Sequence, residues 1–252
     1  MKSLFDINGK KAIVTGATRG LGFGMAEALL DAGCEVAAVG STDNIYKTCE
    51  EWQNKGYKVY PVKADLSVKE ENERAFNAAI DFLSDVDILV CGAGMISRHP
   101  SREFPFDEWE KTISLNLNSV FILSQLASEF MIKKGYGKII TVSSMCSYFG
   151  GQTVPAYSAS KGGVMQLTKA LANDWAKYGI NVNSIAPGYM TTDMTEGVRT
   201  NPERYKDITA RIPMGRWGNP DDMKGTVIFL SSRASDYLSG AIIPVDGGYL
   251  SK

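Results

Sequence analysis

The stretch PAYSASKGG, residues 155–163, sets Tyr157 and Lys161 four positions apart among small neighbours. On a helix, residues four apart share a face. A free phenol ionises near ~10, too high for an effective base at neutral pH. A cation alongside favours the phenolate and lowers that value. Such a pair suits proton exchange with the oxygen of an alcohol or ketone while a hydride moves elsewhere. Ala156, Ser158, Ala159, Ser160, Gly162 and Gly163 leave room for a cofactor and for partner chains. The spacing also arises by chance on solvated helix faces, so a hydride carrier has to be found in the rest of the chain.

That carrier has a place to bind. TGATRGLG (15–22) follows an apolar run and opens an amphipathic one, with Gly16, Thr18, Arg19, Gly20, Leu21 and Gly22 in the turn. Its GxxxGxG spacing is neither GxGxxG nor a P-loop, but the physical logic is shared. Glycines let the backbone turn tightly against a pyrophosphate whose charge is met by helix N-terminal N–H groups. The alternative is a tight strand-to-helix turn that binds nothing. The second apolar run ends in Gly40, Ser41 and Thr42, with no carboxylate before Asp43. An acid there would hold a ribose 2′-hydroxyl, whereas a basic residue accepts a 2′-phosphate. With Arg19 in the glycine loop, NADP(H) is expected, and NAD(H) is the alternative. Asp65, beside Leu66 in KADLS, is expected to meet the adenine amino group, to cap a helix, or to do both.

The elements that position these residues follow from periodicity. KAIVT (11–15), EVAAVG (35–40), KVYPV (58–62), DILVCG (87–92), KIITVS (138–143), INVNSIA (180–186) and AIIPVD (241–246) read as strands. Segments of helical period lie between them. Near-continuous apolar strands alternating with helices predict an α/β fold, a Rossmann-type doubly wound parallel sheet of seven strands with helices on both faces. Gly33 fits the end of the first helix, and Asp65 with Ser67 the start of the third. One domain over 1–252 is expected. The stretch from about 189 to 218 shows no strand and reads as an irregular substrate lid.

The composition narrows the function. Among 252 residues, 27 basic balance 28 acidic for a net charge of −1, which gives no electrostatic case for nucleic acid. Cys34, Cys49, Cys91 and Cys146 form no CxxC, and His99 is the one histidine, so no metal set is expected. No run suits a signal peptide, and no 18-residue uncharged apolar stretch occurs, so a cytoplasmic globule without a membrane span is expected.

Taken together, TGxxxGxG after the first strand, YxxxK late in the chain and Ser144 thirteen residues before Tyr157 resemble the short-chain dehydrogenase/reductase family. The resemblance runs along essentially the whole chain. It implies that Ser144 polarises the substrate carbonyl and that Asn116, in SLNLNSVF, interrupts a helix and supports a proton-relay water. It also implies that Lys161 holds the nicotinamide ribose. IAPGYMTT (185–192), with Pro187, Gly188, Met190 and Thr191 or Thr192, matches the family segment that meets the carboxamide and phosphates. VDGG (245–248) matches its C-terminal segment. One departure stands out: CGAG replaces the usual NNAG, so Cys91 and Gly92 stand where the family has asparagines, while Ala93 and Gly94 still allow close approach of the cofactor. Cys91 is read as a buried structural thiol rather than a redox-sensitive one.

Finer resemblance, in VPAYSASKGGVMQLTKALANDWAKYGINVNSIAPGYM and RIPMGRWGNPDDM, is to the sugar-acid branch, which acts on gluconate and keto-deoxygluconate types. A carboxylate substrate calls for a cation in the site. Arg98 is the first candidate, with His99 a weaker one, and Arg216 is read as bracing the lid or a subunit contact. The competing readings are a 3-oxoacyl-carrier-protein reductase and a cofactor-binding regulator without turnover. Resemblance further implies a homotetramer paired through the helix that carries Tyr157.

Overall fold

The computed structural model describes residues 3–252, so the first two positions of the expected 1–252 unit lie outside the described residues. Its strands are β1 (Lys11–Thr15), β2 (Glu35–Gly40), β3 (Val59–Lys63), β4 (Ile88–Cys91), β5 (Gly137–Val142), β6 (Ile180–Pro187) and β7 (Ile242–Val245). They form one parallel sheet in the order β3-β2-β1-β4-β5-β6-β7. The register pairs Ile13 with Ala37 on one side and Leu89 on the other. The order reverses between β1 and β4, which opens a crevice at the strands' carboxyl ends.

Side-chain alternation along the strands divides the interior into two cores. Ala12 and Val14 pack with Ala26, Leu29, Ile45, Trp52, Val227 and Leu230 on one face. These come from α1 (Gly20–Asp31), α2 (Asn44–Asn54) and α9 (Lys224–Ser231). Ile13, between them in sequence, points to the other face with Phe76, Leu83, Leu123, Met131, Val164 and Leu171. Those belong to α3 (Lys69–Leu83), α5 (Ser119–Lys134) and α6 (Pro155–Trp175). Strands buried on both sides account for the near-continuous apolar runs. α4 (Phe106–Ile113) runs into α5 through a π turn at Ser114–Asn118, the interruption expected around Asn116.

The 189–218 stretch is more ordered than expected. It contains α7 (Glu196–Arg199) and α8 (Pro202–Arg211), and a bridge between Met190 and Gly218 closes its base. A third apolar cluster holds it down: Val198, Ile208, Ile212 and Trp217 with Met145 and Tyr249. Burying side chains of this size contributes about 1.5–3 kcal/mol each. Trp217 Nε1 donates to Thr209 Oγ1 at 2.9 Å, and both Arg216 nitrogens reach Asp222 at 2.8 Å. The brace expected of Arg216 is therefore formed to Asp222. Helices escaped the sequence reading here because α7 is only four residues long and α8 buries one residue, Ile208.

Candidate active site

The glycine turn is shaped by close approach of backbone. Gly16 has φ +71°, and a Cβ there would stand 2.8 Å from Ala93 Cα. Ala93 N donates to Thr15 Oγ1 at 3.1 Å, so the loop after β4 is pinned against the end of β1. No side chain caps the first turn of α1, leaving its N–H groups for a ligand or solvent. A Cβ on Gly20 would lie 3.6 Å from Thr192 Cγ2, so Thr192 stands across from the glycine loop. Leu21 packs on the core from the edge of this turn, next to Gly22. Thr192 thus borders a backbone cradle open to a pyrophosphate, the Thr18 hydroxyl turns toward Gly40 at the end of β2, and the residues present fit a nicotinamide dinucleotide.

At the adenosine end, Ser41 and Thr42 are exposed just past β2. Asp43, the nearest carboxylate, is held by Lys63 at 2.8 Å. Arg19 forms an exposed ion pair with Asp193 at 3.0 Å, spanning from the glycine loop to the 189–218 segment. The helix-cap expectation for Asp65 is corrected. Val68 is the residue before α3, and Asp65 instead accepts from Ser67 N at 3.0 Å and Ser67 Oγ at 2.6 Å, an Asx turn ahead of the helix. Those bonds, that of the Ser67 hydroxyl foremost, hold the carboxyl below its usual range. Leu66 beside it is buried.

Asn116, Ser144, Tyr157 and Lys161 come from different elements and converge beyond the ends of β4 and β5. Asn116 is fully buried. Its Oδ1 accepts from Met95 N at 2.9 Å, and its Nδ2 donates to Met95 O at 2.9 Å and Ser160 Oγ at 3.1 Å. It ties the loop after β4 to α6. Gly94 lies between: a Cβ there would stand 3.4 Å from Asn116 Oδ1 and 3.7 Å from Lys161 Nζ. Ser144 ends the β5 segment and opens a 3₁₀ turn, its Oγ accepting from Cys146 N at 3.1 Å. Lys161 is buried, and its Nζ donates to Val142 O at 2.6 Å. Pro187 ends β6, Met190 is buried, and a Cβ on Gly188 would meet Asp246 Cα at 2.5 Å, so this strand end is packed closely against β7's exit.

The electrostatics correct one expectation. Burial pushes the Tyr157 phenol up to about 12; Ser144 beside it and the Arg98 charge pull the other way, while Cys146 adds to the rise. Burial also lowers Lys161 to about 8, and proximity to Cys91 opposes that shift. Desolvation therefore outweighs the acidifying effect expected of the lysine, whose nitrogen lies beside the ring rather than at the hydroxyl. Arg98 is the one cation among the influences on the phenol, and its effect is the smallest of the four. Cys91 is buried and pushed up to about 12, chiefly by burial, which fits the structural reading of this thiol.

Ser144 and Tyr157 open onto a cavity of about 490 Å³ that Arg98 also lines. His99 does not join it; its Nε2 meets both Glu108 oxygens at 3.1 Å. The cavity has two further cations, Arg204 and Arg211, which the sequence reading missed. With Asp207 and Ile208 they stand at i, i+3, i+4 and i+7, one face of α8. That spacing was the available signal, but it requires knowing that 202–211 is helical. Among the described residues there is no cluster of metal-ligating side chains, and no helix is long and apolar enough to cross a membrane.

Comparison with known proteins finds relatives along nearly the whole chain. A family model described as enoyl-(acyl carrier protein) reductase matches residues 16–250. The 2-dehydro-3-deoxy-D-gluconate 5-dehydrogenase of Bacillus subtilis (strain 168) is 45% identical over 248 residues, 98% of this chain and 97% of that protein. The gluconate 5-dehydrogenase of Gluconobacter oxydans (strain 621H) is 35% identical, covering 97% of this chain and 96% of its own. A crystal structure of a gluconate 5-dehydrogenase from Burkholderia cenocepacia J2315 in complex with NADP and tartrate superposes with a TM-score of 0.94 at 33% identity, over 98% of both chains. With the seven-stranded parallel sheet and relatives matched along nearly the whole chain, the chain belongs to the short-chain dehydrogenase/reductase family and is an oxidoreductase.

Proposed function

We propose that the chain interconverts a secondary alcohol and a ketone on a sugar acid of the gluconate or keto-deoxygluconate type, using NADP(H) in preference to NAD(H). The observation that carries this reading is the sharing of one cavity by Ser144, Tyr157 and three arginines, Arg98, Arg204 and Arg211. Three cations against Asp207 leave an excess of positive charge suited to a carboxylate. The names of the relatives point the same way, whereas an acyl-carrier substrate would call for a basic surface patch in a chain whose net charge is −1.

A bound nicotinamide dinucleotide supplies or accepts the hydride. Gly16, Thr18, Arg19, Gly20, Leu21 and Gly22 would hold its pyrophosphate side, with Thr192 and Met190 across from them. Ser41, Thr42, Asp65 and Leu66 would border the adenosine, Gly92, Ala93 and Gly94 the middle, and Pro187 and Gly188 the nicotinamide end. The absence of a free carboxylate at the end of β2, with Asp43 already paired to Lys63, supports NADP(H). Tyr157, neutral near pH 7, donates its proton to the carbonyl oxygen during reduction and recovers it as base in oxidation. Ser144 hydrogen-bonds the same oxygen. Lys161 keeps positive charge beside the ring and is available to the ribose, and Asn116 holds the loop after β4 on α6. Arg98 meets the substrate at its reacting end.

The chain would work as one domain, with 189–218 as a lid over the cavity, as a cytoplasmic homotetramer. The test is a rate comparison with NADPH: 5-keto-D-gluconate should exceed a β-ketoacyl thioester in kcat/KM by at least about tenfold. The reverse order would sink the assignment.

A further inference from the structure

We propose that Arg211 and Tyr249 form the subsite for the substrate carboxylate, which moves that role away from Arg98; the inference rests on the sugar-acid reading above. The Arg211 guanidinium lies over the Tyr249 ring, 4.6 Å from its centroid. A guanidinium resting on an aromatic face is held in one plane, leaving its edge N–H groups free to grip a carboxylate at two points. Arg211 is in no ion pair among the described residues, whereas Arg216 is already engaged by Asp222.

Tyr249 supplies the second observation. It is only 5% exposed, and its hydroxyl is buried without a hydrogen-bond partner of normal geometry among the described residues. The nearest phenol, Tyr189, meets it edge to face with centroids 5.4 Å apart. The two phenol oxygens interact, but no bond of normal geometry forms between them, and a buried hydroxyl without one gains from a carboxylate partner. Both residues line the cavity that Ser144 and Tyr157 open onto.

The two arginines act on different parts of that cavity. The Arg98 charge reaches Tyr157, the proton-handling phenol. The Arg211 charge reaches Tyr189. A carboxylate on Arg211 and Tyr249, with the carbinol at Ser144 and Tyr157, would favour an acid whose reacting carbon is remote from the carboxylate over one in which the two are adjacent. Arg204, one face-repeat earlier on α8, adds positive charge, and Asp207 between them is an acceptor for substrate hydroxyls. Because Arg211 ends α8, carboxylate binding would also hold the 189–218 segment over the substrate.

The test compares wild type with Arg211→Met, Arg211→Lys and Tyr249→Phe on gluconate and on the neutral six-carbon alditol. Arg211→Met should raise KM for gluconate about 10- to 100-fold, with kcat within about threefold and the alditol unaffected. Arg211→Lys should recover part of the loss, and Tyr249→Phe should raise KM for gluconate about fivefold without lowering Tm. An unchanged KM in Arg211→Met, or an equal rise for the alditol, overturns the subsite. If Arg211→Met does not fold, Arg211→Lys and Tyr249→Phe decide by the same readouts. A wild type that turns over no sugar acid overturns the functional reading instead. In that case calorimetric gluconate binding still decides: weakening by Arg211→Met supports the subsite, and equal binding or none overturns it.

Discussion

Lys161 Nζ lies 5.8 Å from the centroid of the Tyr157 ring. One helical turn brings the two groups alongside each other, yet the ammonium's hydrogen bond goes to the Val142 carbonyl at 2.6 Å. Proximity along α6 is therefore not the same as contact with the phenol oxygen. Each group is shifted by burial toward its neutral form, the phenol to about 12 and the amine to about 8.

The shift at Lys161 makes stability depend on pH. Its folded value of about 8 lies below the ordinary 10.5, so the unfolded chain binds more protons than the native state between those two values. Stability from this group rises with pH through that window: the handicap is full below pH 8 and gone above 10.5. Relative to Lys161→Met, the wild type should gain roughly 2 kcal/mol between pH 7 and pH 10. Urea unfolding of both proteins at the two pH values measures it. A gap that stays constant would show that the amine is not desolvated.

Tyr157→Phe removes the proton without changing the ring. The rate with any substrate should fall by about 10³, within the usual span of general acid–base catalysis, while coenzyme affinity changes less than about twofold. Single-turnover kinetics alongside fluorescence titration separate the two. A variant retaining a tenth of the wild-type rate would mean that another group moves the proton.

Arg98→Ala tests the cation that acts on the phenol. Its charge lowers the Tyr157 value against the larger opposing effect of burial. Removing it should raise that value further and displace the alkaline limb of alcohol oxidation upward. At pH 8 the oxidation rate should drop by about twofold to threefold, for a sugar acid and a neutral alditol alike. A selective rise in KM for the acid, with the limb in place, would instead return the carboxylate to Arg98.

Arg19 is shared between two duties. Its exposed pair with Asp193 contributes little to stability, at most about 1 kcal/mol. If it also meets the 2′-phosphate, Arg19→Ala should weaken NADPH binding about tenfold and spare NADH. Asp193→Asn should free the guanidinium and tighten NADPH binding up to about threefold. Equal changes for both coenzymes in either variant would remove Arg19 from coenzyme choice.

The sheet was legible because its central strands are buried on both faces and so read as short apolar runs, and β7 at the edge keeps an apolar run though it is only partly buried; β1 and β2 begin and end where expected. Tyr157 and Lys161 were legible from spacing, and Ser144 and Asn116 through resemblance. What stayed hidden depended on tertiary contact. Arg204 and Arg211 enter the cavity only because Ile208 anchors α8, a helix whose other residues are too polar to signal burial. The direction of the Tyr157 shift was misjudged because one neighbour's charge can be counted along the chain, whereas the desolvation imposed by a surrounding wall cannot. Asp65 carried a cap-like pattern but stands four residues before α3 begins.

The π turn at Ser114–Asn118 amounts to one surplus residue threaded into an otherwise continuous rod. The wide turn absorbs that extra residue, so α4 and α5 keep the phase of an unbroken helix. Removing one of those positions other than Asn116 would let the rod heal into a regular spiral with Leu123 and Met131 still inside, and what would go is the widened turn that presents Asn116 to Met95 and Ser160. A single-codon deletion in this short window should therefore cost the protein more activity than stability.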